Sequence, residues 1–186
     1  GNVLSAGMGK HPVYLWTLPM FHCNGWCFPW TVTAQAGVHV CLRAVRGADM
    51  WRLMAEEGVT NMCGAPIVMA TLLNTPQADK RALAASVKFI VAGAPPPEAV
   101  LAAMKAAGFA VCHVYGLTEC YGPSVVNEWH EAWDARPAGE QAAQVVEQFC
   151  DEHTERYLLA FVYGYLGDHD LMAVRTEAEK YLMMGA

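Results

Sequence analysis

Positive charge is scarce in this chain, and long apolar runs and paired cysteines are missing from it. Twelve Lys and Arg stand against eighteen Asp and Glu, a net charge of −6, which leaves no basic footprint for nucleic acid. No apolar run approaches the roughly 20 residues that span a bilayer. The N-terminal segment also lacks the basic, apolar and small-residue regions of a secretory signal. The seven cysteines (Cys23, Cys27, Cys41, Cys63, Cys112, Cys120 and Cys150) are scattered singly, with no Cys-x-x-Cys spacing. That pattern fits reduced, buried thiols better than a disulfide framework or a thiolate zinc site. The expectation is a soluble, cytoplasmic protein with no nucleic-acid partner and no transmembrane segment.

What is present is apolar material in quantity. Hydrophobic residues make up 54% of the 186 and charged residues only 16%, enough for one ordinary core and too little charge for intrinsic disorder. An acidic chain can still hold a nucleotide, because helix N-termini, backbone amides and a bound Mg²⁺ handle phosphates without net positive charge. The opening Gly1-Asn2-Val3-Leu4 is not an initiator sequence, which reads as an internal piece of a longer chain.

Apolar runs of strand length alternate with helical patterns from residue 13 to residue 114. This is the rhythm of a parallel sheet covered on both faces. The predicted strands are residues 13–18, 38–42, 59–62, 87–92 and 110–114. Between them, residues 47–57 form an amphipathic helix with Met50, Leu53 and Met54 on one stripe. Residues 65–73 are nearly all apolar and are predicted to be deeply buried. Residues 96–106 begin with proline and end at Gly108, the usual asymmetry of helix start and stop signals. Beyond Glu131 the character changes. Pro137 and Gly139 mark a boundary, and residues 140–166 and 168–184 read as two helices joined at Gly167. The expected fold class is α/β, a mostly parallel sheet flanked by helices over residues 1–134, with an α-helical tail over 135–186.

Three loops at the carboxyl ends of strands stand out, because ligands of open parallel sheets bind along that edge. They are Leu18-Pro19-Met20-Phe21-His22-Cys23-Asn24-Gly25-Trp26, Gly93-Ala94-Pro95-Pro96-Pro97 and Tyr115-Gly116-Leu117-Thr118-Glu119. The last offers an aromatic face for a base, a hydroxyl for a phosphate and a carboxylate for a hard cation. Gly93 and Ala94 are small enough for a flat ring to approach the backbone, and the prolines stiffen the turn. Any one of these loops taken singly is more often an ordinary strand-to-helix turn.

Together the segments are more specific. Tyr115-Gly116-Leu117-Thr118-Glu119 matches the signature pentapeptide of the adenylate-forming superfamily, and Gly93-Ala94-Pro95 matches its adenine-wall loop. The run 18–26 and Cys63-Gly64-Ala65-Pro66 resemble acyl-side segments of its fatty-acid and medium-chain acyl-CoA synthetases. The resemblance implies that Tyr115 stacks on adenine, with Gly93, Ala94 and Pro95 as the opposing wall and Gly116 in the same turn. Thr118 contacts phosphate and Glu119 coordinates Mg²⁺. His22 lies by the acyl carboxylate, and Trp26, Gly64, Ala65 and Pro66 line the acyl pocket. The implied substrates are ATP, a fatty or other apolar carboxylic acid and CoA, joined through an acyl-adenylate.

Several of that family's parts have no match in this chain: the Ser/Thr- and Gly-rich phosphate loop with its lysine, the later ribose-gripping Asp and the lid domain with its catalytic lysine. The chain is therefore expected to be inactive alone. A non-catalytic interaction remnant of the same fold and an adenylating relative acting on aryl or amino acids are the alternatives. In the tail, Asp168, His169 and Asp170 read as a solvated turn. Tyr157, Leu158, Phe161 and Tyr165 form a stripe that packs on the sheet or supports self-association.

Overall fold

A computed structural model describes residues 1–93, 96–118, 122–127, 130–137 and 140–141. The strands are β1 (Val13–Trp16), β2 (Val38–Cys41), β3 (Asn61–Gly64), β4 (Val87–Val91), β5 (Phe109–Leu117) and β6 (Gly122–Val126). The helices are α1 (Asn2–Ser5), α2 (Cys23–Trp26), α3 (Phe28–Ala34), α4 (Gly47–Glu57), α5 (Pro66–Leu73) and α6 (Glu98–Ala106). A 3₁₀ turn follows at Glu131–Trp133. The tail helices, the Asp168 turn and the Tyr157 stripe lie outside the described residues.

The strands form one sheet in the order β2-β1-β3-β4-β5-β6, parallel throughout except for the antiparallel β5–β6 pair. Because side chains alternate across a strand, each central strand feeds two cores. Tyr14, Trp16, Cys63, Ile90, Ala92 and Val114 pack with Ala6, Met8, Phe28 and Val32 on the face that carries α1 and α3. The intervening positions Leu15, Met62 and Phe89 are also fully buried. They belong to the other face, where α4, α5 and α6 pack side by side. There Phe109 meets Trp51 and Phe89 edge-on, with centroids 5.7 and 6.3 Å apart, and the Trp51 indole donates to the Leu72 carbonyl at 3.1 Å. Each fully buried aromatic or aliphatic side chain contributes about 1.5–3 kcal/mol, so the two layers hold the strand ends in fixed relation.

Several sequence expectations need correction. Among the described residues there are six strands rather than five: the bulged β5 runs on to Leu117 because β6 pairs with it, so Tyr115, Gly116 and Leu117 are strand residues and not a loop. β3 spans 61–64 rather than 59–62, which makes Gly64 the last strand residue. α6 starts two residues later than expected, with Pro97 as its N-cap. α5 is not buried all round: Val68, Met69 and Leu72 face the core while Ile67 is 71% exposed. β2 is an edge strand that buries only Val40, so it is not covered on both faces. Among the described cysteines Cys63 is buried and Cys41 is exposed.

Candidate active site at the carboxyl edge of the sheet

In an open parallel sheet the binding crevice lies beyond the carboxyl ends of the strands, where successive connections leave in opposite directions. Here the chain steps from β1 outward to β2 and then back past β1 to β3, so the switch falls between β1 and β3. Thr17, directly after β1, is buried there and donates its hydroxyl to the Cys63 carbonyl on β3.

Gly64, Ala65 and Pro66 end β3 and open α5, with Ala65 as the N-cap and Pro66 in the first helical turn. A side chain at Gly64 would be crowded. An added Cβ would sit 2.9 Å from Val68 Cβ and 3.1 Å from Phe89 Cζ. Gly93, just after β4, turns at φ +92°, a conformation that favours glycine, and is exposed. The nearest atom to a Cβ built there would be Ala65 Cβ at 4.0 Å, so the ends of β3 and β4 adjoin.

Register places the next segment beside Gly93. Val91 on β4 pairs with His113 on β5, and two residues farther along these strands come Gly93 and Tyr115. Tyr115 is half-buried, while Gly116 and Thr118 are exposed. Below Tyr115, His113 is buried, and burial lowers its pKa from 6.5 to about 4. Below the β3 end, burial pushes the Cys63 thiol well above its ordinary range, with the Tyr14 hydroxyl beside it. Burial likewise raises the Tyr14 phenol, whose oxygen makes no hydrogen bond of acceptable geometry.

The segment after β1 crosses toward the far side of the sheet, where α2 touches β6. Its backbone is unusual. Asn24, Gly25, Trp26 and Cys27 have φ of 48, 59, 55 and 66°, a left-handed turn. Asn and Gly tolerate this geometry, but for Trp and Cys it costs roughly 1–2 kcal/mol each. The turn is tied down by Asn2, whose side-chain amide donates to the Trp26 carbonyl at 3.0 Å and to the Thr31 hydroxyl at 3.2 Å. His22 caps α2 and is exposed, Trp26 is half-buried, and Phe21 is 85% exposed.

Of the residues expected from sequence, Gly64, Ala65 and Pro66 stand at the end of β3, Gly93 follows β4, Tyr115 and Gly116 lie at the end of β5 with Thr118 just after it, and His22 and Trp26 lie on the segment whose helix α2 touches β6. Ala94, Pro95 and Glu119 lie outside the described residues. Trp16, Thr17 and His39, which sequence reasoning passed over, also support this edge. Thr17 alone carried a signal, a hydroxyl ending an apolar run. A cavity of about 10 Å³ under α1 and an open groove of about 450 Å³ between α4 and α5 are lined by none of the site residues. Among the described residues no three His, Cys, Asp or Glu side chains gather to hold a metal.

Comparison with known proteins agrees with this fold. The model of the AMP-binding enzyme family matches residues 2–166. A peroxisomal acetate/butyrate–CoA ligase of Arabidopsis thaliana is 46% identical over 142 residues, covering 76% of this chain and 25% of that protein. A 2-methylpropanoate–CoA ligase of Humulus lupulus is 45% identical over 141 residues, covering 76% and 25%. This chain thus spans about a quarter of the length of the curated relatives it matches. Among solved structures, the N-terminal domain of FACL13 from Mycobacterium tuberculosis shares the fold, with TM-score 0.59 and 22% identity over 74% of this chain and 32% of that one. O-succinylbenzoate coenzyme A synthetase from Bacillus subtilis, in complex with ATP and magnesium ion, aligns with TM-score 0.56 and 22% identity over 67% of this chain and 26% of that one. The chain belongs to the AMP-binding enzyme family.

Proposed function

We propose that this chain supplies the adenine-side and acyl-side walls of an AMP-forming acid–CoA ligase that activates an apolar carboxylic acid. The observation that carries this reading is the convergence of four segments on one sheet edge, with Gly93 and Tyr115 at adjacent strand ends and the 18–26 segment crossing to β6. The half-buried Tyr115 ring stacks on adenine against the Gly93-Ala94-Pro95 backbone. Gly116, with no side chain, leaves room at that strand end, and the Thr118 hydroxyl donates to a phosphate oxygen. Glu119 holds Mg²⁺, which neutralises phosphate charge. His22 and Trp26 flank the acid, with Gly64, Ala65 and Pro66 behind it.

In the first step a carboxylate oxygen attacks the α-phosphorus of ATP, the bond to the β-phosphate oxygen breaks, and pyrophosphate leaves. In the second, the CoA sulfur bonds to the acyl carbon and AMP departs. Most of the rate comes from alignment and charge neutralisation, so loss of a positive group is costly. This chain holds no match to the phosphate-loop lysine, the ribose-binding Asp or the lid lysine, and alone it binds adenylate weakly without turnover. Exposed Met20 and Phe21 on the acyl side, and relatives named for acetate, butyrate and 2-methylpropanoate, favour a small aliphatic acid over an aryl or amino acid. A cytoplasmic location is part of the reading, alongside three relatives whose names place them in peroxisomes.

Calorimetric titration of AMP, ATP and a non-hydrolysable acyl-adenylate mimic, each with Mg²⁺, tests the assignment. Weak adenylate binding that Tyr115→Ala abolishes is the expected result; identical isotherms for the two proteins would remove the adenine site.

A further inference from the structure

The left-handed turn on the acyl side leans on a buried ring. A Cβ at Gly25 would sit 2.9 Å from Trp16 Cζ3 and 3.1 Å from Cη2, so the Gly25 backbone rests on the Trp16 indole. Trp16 is itself held from the far side by His39. The indole Nε1 donates to His39 Nδ1 at 2.9 Å, with the two ring planes within 14° of parallel.

Two independent bonds set the protonation state of that imidazole. An indole N–H only donates, so Nδ1 must be the bare nitrogen. On the opposite side of the ring, Nε2 lies 3.1 Å from the Thr33 hydroxyl, which spends its single proton on the Pro29 carbonyl at 2.6 Å. Thr33 Oγ1 can then only accept, so Nε2 carries the proton. A second proton, on Nδ1, would face the indole N–H, and the buried Trp16 donor would lose its acceptor.

We propose that neutral His39, protonated on Nε2, is a positioning residue for the acyl-side turn: it fixes the Trp16 ring on which Gly25 rests, and its protonation releases that turn. α3 carries no ionisable side chain. On its side of the sheet β1 offers the Tyr14 phenol and β2 the Cys41 thiol, His22 stands at the start of α2, and the ion pairs among the described residues are confined to α4. The inference rests on the assignment of residues 18–26 to the acyl side.

The test is heteronuclear NMR on the whole chain between roughly pH 8 and pH 5. At the upper end the His39 ring should show its proton on Nε2. As pH falls, the Trp16 indole and Gly25 amide resonances should shift along the His39 titration curve, and the Trp16 indole N–H should lose protection from exchange. In His39→Gln the amide offers an acceptor to Trp16 and a donor to Thr33 at every pH, so both the shifts and the loss of protection should vanish. A proton on Nδ1 in the wild type, or resonances of Trp16 and Gly25 that ignore His39 or titrate equally in His39→Gln, would overturn the proposal. Adding butyrate with AMP separates it from the functional reading: Gly25 that follows His39 but ignores the acid leaves the positioning role standing and removes the acyl-side assignment.

Discussion

Gly64→Ala puts the packing of the candidate acyl wall under direct test. Gly64 ends β3 two residues before α5 begins, and a Cβ there would lie 2.9 Å from Val68 Cβ, 3.0 Å from Val68 Cγ2 and 3.1 Å from Phe89 Cζ. None of these atoms yields easily. Val68 is β-branched and buried on a helix that has just started, and Phe89 is fully buried on the adjacent strand. Overpacking of this kind costs about 1–3 kcal/mol. Replacing glycine returns roughly 0.4–1 kcal/mol by restricting the unfolded chain. The net loss is then about 1–2 kcal/mol, which at about 2–4 °C per kcal/mol lowers Tm by roughly 2–8 °C. Thermal melts followed by circular dichroism measure it. A Tm equal to or above that of the parent would mean that α5 slides freely on the sheet, and the rigid wall formed by Ala65 and Pro66 would be wrong.

Gly25 and Gly58 both have positive φ, +59 and +63°, but only at Gly25 does an added methyl strike a neighbour. Gly25→Ala should therefore lower Tm more than Gly58→Ala, and equal losses in paired melts would mean that Trp16 does not support the turn. Iodoacetamide at about pH 8 should label exposed Cys41 and spare Cys63, whose thiol is kept protonated by burial; peptide mass spectrometry reads the ratio. His113 is neutral in the folded chain down to pH about 4, against 6.5 in the unfolded chain, so its contribution is fully present above pH 6.5 and is lost as pH falls through 4. That contribution is about 3 kcal/mol. A ring titration of His113 by NMR with a midpoint near 6.5 would contradict it.

The interior was legible in the sequence because burial on both faces writes long apolar runs. β1, β4 and the amphipathic α4 lie where periodicity put them. Failures cluster where tertiary contacts override local signals. β6 begins Gly-Pro, a pairing that argues against a strand, and it forms because it is the last strand of the sheet, on the free side of β5. The left-handed turn had a partial signal in Asn24-Gly25 but none in Trp26 or Cys27, whose geometry depends on Asn2 and Trp16. His39 was invisible for the same reason. A lone imidazole in an alternating strand acquires a role only when Trp16 and Thr33 arrive from other elements. The candidate site was legible as motifs, whereas its layout came from strand order: nothing in Gly93 or Tyr115 alone says that β4 and β5 are neighbours.

The most direct measurement is amide shift mapping with AMP and Mg²⁺ on the isotopically labelled chain. Binding at the carboxyl edge should move Gly93, Gly116 and Thr118 together and leave Gly58 and Gly108, at the opposite ends of the strands, unchanged. Shifts concentrated at Gly58 and Gly108, or in the groove between α4 and α5, would place the nucleotide elsewhere and contradict the account.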